Sequence, residues 1–157
     1  MISNASPIIF LAKTNQLSLL KQLFNKIYIP ASVKEEILTE EKAGFMVINS
    51  AIKEDWIKVI ESKKGIELGF ALGKGEQDAI NLAMERKEPL IIDDAVGVKI
   101  AKSFNIDIYR TTTLILMAVK KKILTKKEAI NLINKLLDVG YYIAPKHYAA
   151  LIEKLND

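Results

Sequence analysis

The residues whose types and spacing suit chemistry are oxygen-bearing: Asn4, Glu36, Glu76, Asp78, Asp93, Asp94 and Thr111. Asn4, Glu36 and the pair Asp93-Asp94 follow apolar runs that read as strands, while Glu76 and Asp78 open a helical pattern behind Gly73-Lys74-Gly75. In an open α/β sheet, ligands bind in the crevice beyond the carboxyl ends of the strands. Carboxylates gathered there repel one another unless a cation neutralises them. Hard oxygen donors suit Mg²⁺ or Mn²⁺, so the chemistry indicated is metal-dependent phosphoryl transfer. Each residue also has a plainer role. Asn4 suits a turn, Glu36 a solvated helix face, Glu76 and Asp78 the positive end of a helix dipole, and Thr111 to Thr113 a cap. Asp93-Asp94 is the sharpest signal, because an N-cap accounts for Asp94 and leaves Asp93 unexplained.

The elements that must position these groups alternate between short apolar runs and helical patterns. Strands are expected at Met1 to Ser3, Ile27 to Ile29, Trp56 to Ile60, Leu90 to Ile92 and Ile106 to Tyr109. Helices are expected after Ser6-Pro7, read as N-cap and first helical residue, and at Leu17 to Phe24. Further helices are expected around Val33 to Leu38, Ile48 to Ile52, Gly75 to Arg86 and through Val98 and Ala101. The last three run from Thr111 to Lys121, Lys126 to Asp138 and Pro145 to Leu155. This alternation argues a central, mostly parallel sheet covered by helices. No repeat, low-complexity tract or linker divides residues 1–157, which read as one domain. Lys63 to Gly73 holds three glycines and few anchors, and reads as a mobile loop.

Composition bounds the function. With 157 residues, half of them hydrophobic, the chain can bury a substantial core. The absence of cysteine excludes disulfides and thiolate chemistry, and fits a reducing cytoplasm. No apolar run is long enough to span a bilayer, and no secretory signal opens the sequence. A net charge of +4 is compatible with a polyanionic partner. The cluster Lys120-Lys121-Lys122 reads as a solvated helix end, His147 as a surface or packing residue, and Trp56, Tyr141 and Tyr142 as core or interface anchors. The stripe Ile8, Leu11, Leu19, Leu20 and Leu23 is either core or a homodimer face. A response-regulator receiver shares an acidic pair, a Thr and a Lys, but places its pair after the first strand rather than late in the sheet.

The string Asn4-Ala5-Ser6-Pro7-Ile8-Ile9-Phe10-Leu11-Ala12-Lys13 resembles the opening of PIN-domain proteins, in a prokaryotic branch related to VapC-type toxins. Ile29-Pro30-Ala31-Ser32-Val33-Lys34-Glu35-Glu36 resembles the second motif, Gly75-Glu76-Gln77-Asp78-Ala79-Ile80 the third and Leu90-Ile91-Ile92-Asp93-Asp94 the fourth. Arg110-Thr111-Thr112 stands where family members usually carry Gly-Thr. The resemblance spans nearly the whole chain. It implies a three-layer α/β/α fold and a Mg²⁺- or Mn²⁺-dependent ribonuclease, often the toxin paired with a small antitoxin protein. By position, Glu36, Glu76 and Asp93 would carry the metal, Asp94 and Asp78 would assist, and Thr111 would position water or phosphate. Lys13, Lys34, Lys74, Lys99 and Arg110 would meet single-stranded RNA. Position 4 departs from the pattern, holding Asn where many PIN nucleases have Asp. An amide oxygen still ligates a hard cation but removes one negative charge. The rival reading is therefore a degenerate PIN-fold module that binds RNA or a protein partner without cleaving.

Overall fold

A computed structural model describes residues 1–39, 44–61, 63 and 65–157. The chain begins with β1 (Ile2–Ser3), α1 (Ala5–Lys13) and α2 (Ser18–Phe24), followed by β2 (Ile27–Pro30), α3 (Ala31–Thr39), α4 (Phe45–Lys53) and β3 (Ile57–Ile60). Then come α5 (Lys74–Arg86), β4 (Leu90–Ile91), α6 (Ala95–Ser103) and β5 (Ile108–Tyr109). Three helices close the chain: α7 (Thr111–Lys120), α8 (Lys126–Asp138) and α9 (Pro145–Asn156). Among the described residues the strands form one sheet in the order β3-β2-β1-β4-β5, and every pairing is parallel. The expected three-layer α/β/α fold is the one observed.

The central strands read as uninterrupted apolar runs because helices cover both of their faces. Ile2, Ser3, Leu90, Ile91 and Ile92 are all buried. The stripe Ile8, Leu11, Leu19, Leu20 and Leu23 is also buried in the core, which removes it as a dimer face. Helices α3, α5 and α6 form one packed set, with α5 also against β1, β2 and β4. Helices α7, α8 and α9 pack on one another, and α2 packs against α7. Helix α8 starts with a capping box: Thr125 accepts from the Glu128 N–H while the Glu128 carboxylate accepts from the Thr125 N–H, satisfying two donors that the helix itself leaves orphaned. Among the described residues no helix is long and apolar enough to cross a membrane.

Topology places the site. The chain lays β1, β2 and β3 outward in one direction, then returns through α5 to set β4 on the other side of β1. Such a reversal opens a crevice at the carboxyl ends of the two strands that flank it. Ser3 pairs with Ile91, so Asn4 and Asp93 leave the sheet on either side of this point. Because α5 leads into β4 and the strands are parallel, its amino terminus lies at the same edge.

Two helix starts change the role expected of a residue. Helix α1 begins at Ala5, with Asn4 as its N-cap by position, so Ser6 and Pro7 lie inside the first turn. Helix α7 begins at Thr111 with Arg110 as N-cap, so Thr111 is a helical residue rather than a cap.

Candidate functional site

Asn4 is only 1% exposed, and its Oδ1 has no hydrogen-bond partner. Although Asn4 precedes a helix, its side chain accepts no capping bond from α1. An unpaired buried acceptor forfeits its hydration, at a cost of about 1–3 kcal/mol. The space beside it is shaped by a missing side chain. A Cβ on Gly75 would lie 2.6 Å from Glu36 Oε2, 3.5 Å from Val33 Cγ2 and 3.8 Å from Asn4 Oδ1. Gly75 therefore lets the first turn of α5 approach α1 and α3 closely, and the oxygens of Asn4 and Glu36 face the same point. Val33 and Glu36 are three apart on one face of α3, with Val33 buried beneath the carboxylate. The same helix turns Glu35 toward a different space.

Asp93 is the hub of the other half. Its Oδ1 accepts from the Thr111 N–H at 2.9 Å and from the Tyr141 hydroxyl at 2.8 Å. Its Oδ2 accepts from the Thr111 hydroxyl at 2.6 Å. Register explains the first contacts: Ile91 pairs with Tyr109, so Asp93 and Thr111 emerge opposite each other. Tyr141 comes from beyond α8, and its ring stands edge-on to Phe10 of α1 with centroids 5.2 Å apart. Burial pushes the Tyr141 phenol well above its ordinary pKa, and the adjacent Asp93 carboxylate pushes it the same way. The phenol therefore keeps its proton and serves Asp93 as a hydrogen-bond donor.

The remaining sequence candidates have other engagements. Asp94 is the N-cap of α6 and accepts from the Gly97 N–H at 2.6 Å, the plainer of its two expected roles. Glu76, in the first turn of α5, folds its carboxylate back over Gly73. Asp78 lines a neighbouring cleft of about 610 Å³ with Ser32, Glu35, Lys74 and Gln77. The Thr111 hydroxyl, expected to orient water or phosphate, donates to Asp93 instead. Sequence reasoning overlooked Gly75 as the point of closest approach and Tyr141 as a donor. Gly75 sits within a motif, and only its neighbours in space reveal why it is glycine.

Loop 65–73 contributes Gly65, Ile66 and Glu67 to the neighbouring cleft and is tied to α5. Asn81 donates to the Ile66 carbonyl at 2.9 Å and accepts from the Ile66 N–H at 3.2 Å. Gln77 accepts from the Leu68 N–H at 3.1 Å and donates to the Leu72 carbonyl at 3.3 Å. The expectation of a loop with few anchors at Lys63 to Gly73 is corrected over residues 65–73, and Lys64 lies outside the described residues.

Among the described residues no three His, Cys, Asp or Glu side chains are grouped as a ready metal cage. Mg²⁺ does not require one, since it keeps several waters and takes one or two carboxylates. An orphaned amide oxygen facing the same glycine as the Glu36 carboxylate, with Asp93 leaving the adjacent strand, fits a hard divalent cation.

A parallel sheet with oxygen donors collected past β1, β2 and β4 defines an α/β protein with a candidate cation crevice at its switch point. The PIN domain family model matches residues 1–157, and the chain belongs to that family. PIN domains are typically nucleases and generally use divalent metal ions. The chain is also similar to a PilT N-terminus domain protein from the hyperthermophilic archaeon Sulfolobus solfataricus P2. That similarity has a TM-score of 0.54 at 22% identity, covering 73% of this chain and 90% of the other, and it bears on the fold alone. No curated protein matches the sequence.

Proposed function

We propose that this PIN domain is a Mg²⁺- or Mn²⁺-dependent endoribonuclease acting on single-stranded RNA. The observation that carries this reading is the buried, unpartnered Asn4 Oδ1 facing Gly75 together with Glu36 Oε2. Asn4, Glu36 and Asp93 would hold the ion, with Glu76 at the adjacent helix start and Asp94 and Asp78 nearby. When bound, a divalent ion supplies a water nucleophile at neutral pH and neutralises charge developing on the phosphate. The chain's own part is positional. Thr111 holds both oxygens of Asp93 at the crevice, and Gly75 keeps the start of α5 against Glu36. Lys74 stands at that helix start, while Lys13, Lys34, Lys99 and Arg110 supply charge for the RNA backbone. Membership of the VapC-like branch and a role as toxin, neutralised by a small antitoxin, belong to the same reading.

The rival reading, a module that binds RNA without cutting it, draws on Asn4 itself, which brings no charge to the ion. Cleavage of single-stranded RNA at several Mg²⁺ and Mn²⁺ concentrations decides between them. The nuclease reading expects divalent-dependent cleavage, lost in Asp93→Asn and raised in Asn4→Asp. RNA binding without cleavage in both the natural protein and Asn4→Asp would establish the rival. A small DNA-binding protein encoded next door and co-purifying with this chain would support the toxin role.

A further inference from the structure

We propose that Tyr141 is a positioning residue of this site, reaching from the far end of α8 to fix the carboxylate of Asp93. The inference rests on the reading of Asp93 as a metal-holding group and adds to it a residue some fifty positions away in sequence. Asp93 and Tyr141 are separated by 48 residues and joined by a 2.8 Å hydrogen bond. A carboxylate offers about four lone-pair sites. Thr111 occupies one on each oxygen, and Tyr141 occupies a second on Oδ1. Oδ1 is thereby committed to the protein, and Oδ2, with a single donor, is the oxygen with capacity to spare. Thr111 alone would leave Oδ1 open as well.

The delivery of Tyr141 is built into the chain. Gly140 adopts a φ of +92°, which L side chains rarely tolerate. Its N–H donates to the Leu137 carbonyl at 3.0 Å, and the Tyr141 N–H donates to the Leu136 carbonyl at 2.9 Å. These two bonds are the Schellman closure of a helix end, and they turn the chain so that Tyr141 points back into the molecule. The ring is 7% exposed and rests edge-on against Phe10, so both ends of the side chain are fixed. Tyr142, the next residue, is exposed. The tail of the fold thus contributes a group to the crevice, whereas its motif residues all precede α8.

Tyr141→Phe keeps the ring and deletes the hydroxyl, and Tyr142→Phe serves as the control. Mn²⁺ binding, read by electron paramagnetic resonance on the full chain, should weaken about 10-fold or more in Tyr141→Phe, as loss of a group orienting a ligand typically does. It should be unchanged in Tyr142→Phe and abolished in Asp93→Asn. Melting curves on the same samples separate positioning from packing: a lower melting temperature with natural Mn²⁺ affinity would make Tyr141 purely structural and overturn the proposal. If Asp93→Asn loses Mn²⁺ while Tyr141→Phe does not, this inference fails and the metal reading stands. If the natural protein and Asp93→Asn bind Mn²⁺ alike, both fail.

Discussion

At the scale of single residues, the tension in this protein lies at Asn4. A buried amide oxygen without a partner is disfavoured unless something binds there, and an Asp in its place would be disfavoured more, because its charge would be buried and would face the Glu36 carboxylate. The substitution Asn4→Asp should therefore lower the melting temperature without metal and make it strongly dependent on Mn²⁺, since a ligand that binds only the folded state stabilises it. Equal melting of Asn4→Asp with and without millimolar Mn²⁺ would count against a cation at this position. Asp94 has the opposite character. Its carboxylate caps α6, so Asp94→Ala should cost about 1 kcal/mol in denaturant titrations while leaving Mn²⁺ affinity unchanged. The sequence distinguished these neighbours in part: the pair was legible as a signal, and Asp94 as a candidate cap. It did not separate Glu36 from Glu35, because adjacent helical residues differ only in direction and that direction is set by how Val33 packs beneath Gly75.

At the scale of elements, close approach matters more than composition. Gly75→Ala would add a carbon 2.6 Å from Glu36 Oε2, so the carboxylate must move. Mn²⁺ affinity should fall several-fold in a titration, with a small change in stability because the atom displaced is the far end of a flexible side chain. The tethered loop gives a dynamic test. Replacing both Gln77 and Asn81 by Ala removes the side-chain bonds to residues 66–72, and amide exchange there should accelerate while exchange in β1 and β4 stays slow. Unchanged protection across 66–72 would mean that other contacts hold the loop. Strands and helices were legible because their periodicities are local, down to the short apolar run of β4. The loop's anchors were not, since two amide side chains bonding backbone groups as many as fifteen residues away leave no periodic trace. Tyr141 was legible as an anchor but not as a donor, for its partner is fixed by β4 register and by the reversal at Gly140.

At the scale of the whole molecule, the sheet order turns scattered oxygens into neighbours. Asn4 and Asp93 are far apart in the chain and adjacent only because the chain returns to place β4 beside β1. The opposite edge of the sheet carries a pH-sensitive contact. Partial burial pushes the Glu88 carboxyl up, but hydrogen bonds and charge from the Met1 ammonium and Arg86 outweigh it and hold the carboxyl below its ordinary value. A depressed folded-state pKa contributes stability that is present above the unfolded value and lost as pH falls through the folded one. Denaturant titrations should thus show the natural protein more stable than Glu88→Gln at pH 7, with the difference shrinking below about pH 4.5, the ordinary value for this carboxyl. A difference independent of pH would remove the ion pair as its source. The overall fold could be read from strand–helix alternation and four motifs in order. What could not be read was that folding assigns Asp94 to a helix cap and turns Asp78 into the cleft. The most direct measurement of the central claim is anomalous diffraction from a crystal soaked in millimolar Mn²⁺. A single anomalous peak between Asn4 Oδ1, Glu36 and Asp93 is expected. A crevice without a peak, or manganese bound only elsewhere on the surface, would contradict it.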